Sequence, residues 1–313
     1  MQAYKYLLFL SMTVLHPLHP VTKRRGIDSC HTHCTELKNG PVTIFIHGTV
    51  FPVISRFTHH DPNRRGLYRY TADLTHPVRG KERLAKVLHE AAPLEFPAHS
   101  FYKFYWSGNL TCSARKDASK ELFHILEKHS GPVTIIAHSH GCNVALYLAE
   151  FVQQKKSLLS IDRLILLAAP VQRTTSPLVC APLFKRVYSL YSTADGLQVA
   201  DPQGIYEESK HDKKQPLFSE RIYPTSPNLV QARLLIGRRS PSHIDFILDT
   251  FFKQIPSLLH LLDKEHNAGN NHLMVDIPSC GHGPKLLTFT SSELPYKTRK
   301  KGRCSCLTQP LKA

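Results

Sequence analysis

The chain has 313 residues, 42% of them hydrophobic, with 40 lysines and arginines against 24 acids and a formal charge of +16. That hydrophobic share excludes a disordered chain, and the length excludes a small disulfide scaffold despite eight cysteines. The basic balance favours anionic partners, but no zinc-finger, RNA-recognition or helix-turn-helix signature is present, so no specific nucleic acid is expected and an anionic membrane surface is the candidate macromolecular partner.

The first apolar run is YLLFLSMTVL, residues 6–15. It is shorter than the ~20 residues that a membrane span needs. It suits an export-signal core or a packed element equally, and no small-residue cleavage site follows it. A cytoplasmic or peripheral-membrane location is favoured, with secretion the alternative if the run acts as a signal. The close cysteines of CHTHC (Cys30 to Cys34) and CSC (Cys304 to Cys306) do not make a complete ligand set. Cys280 and His282 would have to fold beside CHTHC to form a zinc site, and no metal is expected.

Residues 21–40 read as an irregular approach. PVTIFIHGTVF then gives a strand over 42–46 that ends in His47-Gly48. Residues 50–80 are rich in His, Pro and Arg and read as loop. KERLAKVLHEAA places Leu84, Val87, Leu88 and Ala91 at helical spacing, so it predicts an amphipathic helix. SFYKFYW predicts an aromatic strand closed by Ser107-Gly108, with Trp106 in the core. SARKDASKELFHILEKH predicts a second helix, stopped near Gly131-Pro132. A strand over 133–138 runs directly into a helix from about 140 to 155. IDRLILLAAP and RVYSLYS are further strands, residues 196–230 an insertion or cap, ARLLIG a last strand and SHIDFILDTFFKQIPSLLHLL a last helix. The pattern decays from residue 263, and the basic tail YKTRKKGRC reads as a solvated end. The expected division is a leader or irregular segment at 1–38, one α/β domain at 39–262 and an extension at 263–313.

Strands that are apolar throughout are buried on both faces, and alternating with helices they imply a mostly parallel sheet covered on both sides. In such sheets the chemistry lies beyond the carboxyl ends of the strands. His47-Gly48, Ser107-Gly108, Ser139, Ala169-Pro170, Asp195 and His243 stand there, so a serine, an acid and a histidine follow strands in that order.

The serine explains its neighbours. A serine hydroxyl needs a base to act as a nucleophile, and it must protrude to reach a substrate. A sharp strand-to-helix turn achieves this, and the close approach of strand to helix requires small residues two before and two after, here Ala137 and Gly141. The serine then lies at a helix N-terminus, where free N–H groups favour negative charge, and the His140 N–H is one oxyanion donor.

AHSHGCNVAL resembles the nucleophile elbow of the α/β-hydrolase superfamily. It is most similar to the G-H-S-x-G elbow of lipase-like serine esterases, near triacylglycerol lipases and GPI-inositol deacylase-like proteins. IFIHGTVF resembles the His-Gly oxyanion loop of that family, and FYWSGNL with SARKDASKEL looks like the segment before the elbow in bacterial members. The resemblance spans roughly residues 40–260. Ala137 replaces the usual first glycine and Cys142 a common later one, both with small side chains. The resemblance implies an α/β-hydrolase fold with Ser139 as nucleophile, Asp195 as acid, His243 as base, and oxyanion N–H donors at His140 and at Gly48 or Thr49. It also implies ester hydrolysis without metal or organic cofactor, on a small-molecule or lipid ester. Asp201 competes with Asp195, and His272 and His260 compete with His243. His138 and His140 adjoin the serine on the elbow, so their side chains should diverge from its hydroxyl and line the pocket. Rival functions are an acyltransferase or thioesterase on the same three residues, a non-catalytic binding protein with this fold, and a basic membrane-surface adaptor.

Overall fold

The computed structural model describes residues 31–34 (main chain), 37–49, 64–70, 82–200, 218–278 and 283–287. The leader-like run, the side chains of CHTHC, Asp201, Cys280, His282, CSC and the basic tail lie outside them.

In chain order the strands are β1 (His31–Cys34), β2 (Val42–Ile46), β3 (Gly66–Tyr70), β4 (Phe101–Tyr105), β5 (Val133–His138), β6 (Arg163–Leu167), β7 (Val187–Tyr191), β8 (Leu229–Ile236), β9 (His272–Ile277) and β10 (Lys285–Leu287). The helices are α1 (Glu82–Ala91), α2 (Cys112–Leu126), α3 (His140–Lys155), α4 (Gly196–Val199), α5 (Asp249–Phe252) and α6 (Ile255–Asn267). One sheet joins the strands in the order β1-β3-β4-β2-β5-β6-β7-β8-β9-β10. From β4 to β9 every pairing is parallel, while the flanking pairs β1–β3, β3–β4 and β9–β10 are antiparallel.

Apolar residues on successive positions of the central strands explain why the sheet is covered twice. Ile44, Ile135, Leu164 and Leu166 pack with Leu122, Phe123 and Leu126 of α2 and with Val144 and Leu148 of α3. Ile136, Ile165 and Leu167 face the other way, onto Leu84 and Leu88 of α1 and Leu258, Leu259 and Leu262 of α6. Helices therefore lie on both faces of a mostly parallel sheet, the α/β arrangement expected from the sequence. The order reverses at β2 and β5: from β2 the chain moves out to one side, from β5 to the other. Their carboxyl ends form the switch point where such sheets open a crevice. Gly48 follows β2 and Ser139 follows β5.

Three local expectations change. The last helix, read as one piece from 242 to 262, is broken into a 3₁₀ turn (Asp245–Ile247), α5 and α6. Pro256 stands in the first turn of α6, the one place in a helix where a missing N–H and a fixed φ cost nothing. The stretch GLYRY, read as loop, is β3, held between β1 and β4 by antiparallel pairing. Its five residues are too few to show a period amid flanking His, Pro and Arg. The sheet also runs past the expected 39–262 bounds, with β1 before them and β9 and β10 after.

Candidate active site

Ser139 has φ 55° and ψ −131° and is followed at once by the first residue of α3. This is strained backbone for a residue with a side chain, held in place by the elements on either side. Its N–H donates to Leu167 O at 2.9 Å, and its carbonyl accepts from the Cys142 N–H at 3.0 Å. The small residues around it are accounted for by close approach. A Cβ on Gly141 would stand 2.5 Å from His47 O and 2.7 Å from Ile46 O, so the start of α3 packs on the end of β2 with no room for a methyl group. Ala137 is fully buried. Cys142 is also fully buried and donates its Sγ–H to Ala137 O at 3.1 Å. Burial pushes its thiol far above the ordinary range, so it fills space and is no second nucleophile.

On the β2 side, a Cβ on Gly48 would meet Ser139 Cβ at 2.6 Å and Oγ at 3.2 Å, so the Gly48 main chain lies against the serine. The His47 ring fixes the peptide after it. Its Nε2 faces the Trp106 N–H at 3.3 Å, which makes it the acceptor, so Nδ1 carries the proton and donates to Gly48 O at 2.7 Å. Trp106 returns a bond from Nε1–H to His47 O at 2.7 Å and stacks on the ring with centroids 5.8 Å apart. With the Gly48 carbonyl held, the Thr49 N–H points to the opposite side of a planar trans peptide. The Thr49 hydroxyl is buried without a hydrogen-bond partner among the described residues. His140, at the first position of α3, lies where main-chain N–H groups have no partner inside the helix.

Asp195 and His243 are brought together although 48 residues separate them: Nδ1 lies 2.7 Å from Oδ2. The Asp195 side chain has no exposed surface, and that of His243 is 12% exposed. A carboxylate only accepts, so His243 Nδ1 donates and its Nε2 presents a lone pair, the tautomer that a base requires. Asp195 also caps α4, its Oδ1 accepting the Gln198 N–H at 3.0 Å. Arg221 clamps the loop, donating to the carbonyls of Ser192, Thr193 and Asp195 at 3.0, 3.3 and 2.8 Å. Burial lowers the Arg221 guanidinium from its ordinary value, against opposing fields from Asp195 and Tyr191.

The other candidates fall elsewhere. His272 begins β9 and faces the Tyr191 hydroxyl at 2.6 Å. His260 lies within α6. His138 and His140 are both buried. His138 Nε2–H donates to the main-chain carbonyl of His243 at 3.1 Å, with ring centroids 4.6 Å apart. The residue before the serine is thus tied to the backbone of the histidine loop. No hydrogen bond joins the Ser139 hydroxyl to the His243 ring in this structure. Sequence reasoning missed the supporting residues His47, Trp106, Gln198 and Arg221. The His-Gly pair was a visible signal, but it was read for its glycine.

No protein-family model and no curated protein sequence matches the chain. Among solved structures, the iron-lacking apo form of ESTFA is similar at TM-score 0.36 and 10% identity, over 88% of this chain and 83% of that one. Lipase B of Aspergillus fumigatus is similar at TM-score 0.36 and 10% identity, over 82% and 66%. An esterase of Pyrobaculum calidifontis is similar at TM-score 0.33 and 14% identity, over 90% and 83%.

Proposed function

We propose that the protein is a serine hydrolase that cleaves a carboxylic ester through an acyl-enzyme on Ser139. The observation that supports this best is the Asp195–His243 pair, whose imidazole lies against His138, the residue next to a serine held at positive φ on a strand-to-helix turn. Such strain is kept where surrounding structure fixes it, and an elbow serine is a place where it serves chemistry.

In this reading the Ser139 Oγ attacks the acyl carbon while His243 Nε2 takes its proton. Asp195 holds the resulting imidazolium and its orientation. The carbonyl oxygen becomes an oxyanion against the main-chain N–H groups of His140 and of Gly48 or Thr49, each donor contributing roughly 10²–10³ in rate. His243 passes the proton to the departing alcohol, and the ester C–O bond breaks. Water, deprotonated by the same Nε2, then adds to the acyl carbon and releases the carboxylic acid and the serine. Catalytic hydrogen bonds are commonly long without substrate and tighten in the complex, so the Ser139–His243 contact forms on binding. The side chains needed are this chain's own.

Lipid or acyl esters are the favoured class, given the resemblance of the elbow and the basic balance of the chain. A series of p-nitrophenyl esters from acetate to palmitate, run on wild type and Ser139→Ala, tests both parts. Turnover that rises with chain length in wild type and vanishes in the variant is the expected result. Turnover that survives Ser139→Ala would remove the serine from the mechanism.

A further inference from the structure

Arg115 is the one arginine among the largest fully buried side chains of the described residues, at 1% exposure. It lies in the first turn of α2, the positive end of the helix, where the local dipole disfavours a cation. No carboxylate among the described residues pairs with it. Nη1 donates to Leu110 O at 2.6 Å and faces His140 Nδ1 at 3.4 Å, Nη2 donates to Gln172 Oε1 at 3.1 Å, and Nε is buried with no partner among those residues. A buried cation without a counter-charge is among the most costly groups that a fold can keep.

Its neighbours say what it faces. His140 Nδ1 is approached by two groups that only donate: Arg115 Nη1 and, at 3.5 Å, the Asn143 amide. The orientation of that amide is fixed, because Nδ2 donates to Pro170 O at 3.2 Å while Oδ1 accepts from the Thr175 hydroxyl at 2.5 Å. Facing two donors, His140 Nδ1 is the acceptor of the ring, which puts the proton of the neutral tautomer on Nε2. Through these bonds the first turns of α2 and α3 are locked to Leu110 after β4 and to Pro170, Gln172 and Thr175 after β6. The residue at the centre of the network, His140, is the one whose main-chain N–H is the oxyanion donor proposed above.

We propose that Arg115 is a positioning residue for the oxyanion side of the site. It fixes His140, and with it the first peptide of α3, and it supplies from behind the His140 ring the positive charge that the developing oxyanion lacks. The tetrahedral intermediate is the missing counter-charge, so the cost of the buried cation is relieved as that intermediate forms. A charge so placed favours the transition state over the ground state and acts on kcat more than on KM. This inference rests on the reading of Ser139 as nucleophile.

The test is hydrolysis of p-nitrophenyl butyrate, together with inhibition by phenylboronic acid, which becomes a tetrahedral anion when it adds to a nucleophilic serine. Arg115→Gln should lower kcat and weaken boronate inhibition in parallel, each by roughly 10–100-fold, with KM within about threefold of wild type. Arg115→Lys, which keeps the charge, should hold both within about fivefold. Should Arg115→Gln fail to fold, Arg115→Lys decides alone, and a tenfold loss of boronate affinity there overturns the inference. A folded Arg115→Gln with unchanged kcat and boronate affinity overturns it as well. A wild type that neither hydrolyses the ester nor binds boronate overturns the hydrolase reading and this inference with it, whereas an active wild type with an indifferent Arg115→Gln overturns this inference alone.

Discussion

Gly141→Ala is the smallest change that should disable the site without touching a polar group. The added methyl would stand 2.5 Å from His47 O, about 0.9 Å inside the 3.4 Å at which ordinary contact begins, and 2.7 Å from Ile46 O. Both obstacles are main chain, so no side chain swings away to make room. Either α3 lifts from β2 or the end of β2 is pushed outward. In both cases the His140 N–H and the Gly48–Thr49 peptide separate, although an oxyanion needs them converging on one point. A displacement near 1 Å in a catalytic arrangement costs on the order of 10²-fold in rate. Overpacking of this kind also costs about 1–3 kcal/mol of stability, which in a domain this large lowers the melting temperature by roughly 2–12 °C. The assay is kcat on a short p-nitrophenyl ester with a thermal melt of the same sample. Gly283→Ala is the control, since a Cβ there meets nothing within 4 Å, and it should change neither quantity. A Gly141→Ala protein with wild-type melting and wild-type kcat would refute the packing argument for the elbow.

Single contacts support further expectations. Asp195→Asn turns an acceptor into a donor opposite His243 Nδ1, favours the wrong tautomer and should lower kcat by roughly 10³–10⁴-fold with the fold intact. His138→Leu removes the donor to the His243 carbonyl and should lower kcat roughly 3–10-fold at constant KM, while His138→Gln, which keeps a donor, should restore most of it. Asp162 accepts the Val133 N–H at 2.9 Å and pairs with Lys185 at 2.7 Å. Burial alone would raise its carboxyl, but those bonds outweigh burial and hold it below the ordinary value. A depressed carboxylate contributes stability above its unfolded pKa, near 4, and loses it as pH falls through the folded value. Urea midpoints should therefore fall less steeply between pH 5 and pH 3 in Asp162→Asn than in wild type.

The parallel core was legible because its strands are short, apolar and alternate with helices whose apolar faces keep a 3.6-residue period. The elbow was legible because close backbone approach forces small residues at fixed positions around Ser139. The edges were harder to read. β3 has five residues without alternation, and β9 comes after a stretch in which the helical period has already faded. The pairing of Asp195 with His243 could be anticipated only as chain order, because contacts 48 residues apart leave no local trace. The supporting residues were hidden for a related reason. Arg115 looks like any charged residue of an amphipathic helix, and only the packing of α2 on α3 shows that it is buried with no acid paired to it among the described residues. Nor does the sequence distinguish a His138 that lines a pocket from one that donates to the main chain of another loop.

The central claim is that Ser139 is an activated nucleophile. The direct measurement is reaction of the folded protein with a fluorophosphonate, then mass-spectrometric mapping of the adduct, on wild type and Ser139→Ala. The account predicts one phosphonylated residue in wild type, Ser139, and no adduct in the variant. A folded wild type that stays unlabelled, or an adduct on any other serine, would contradict it.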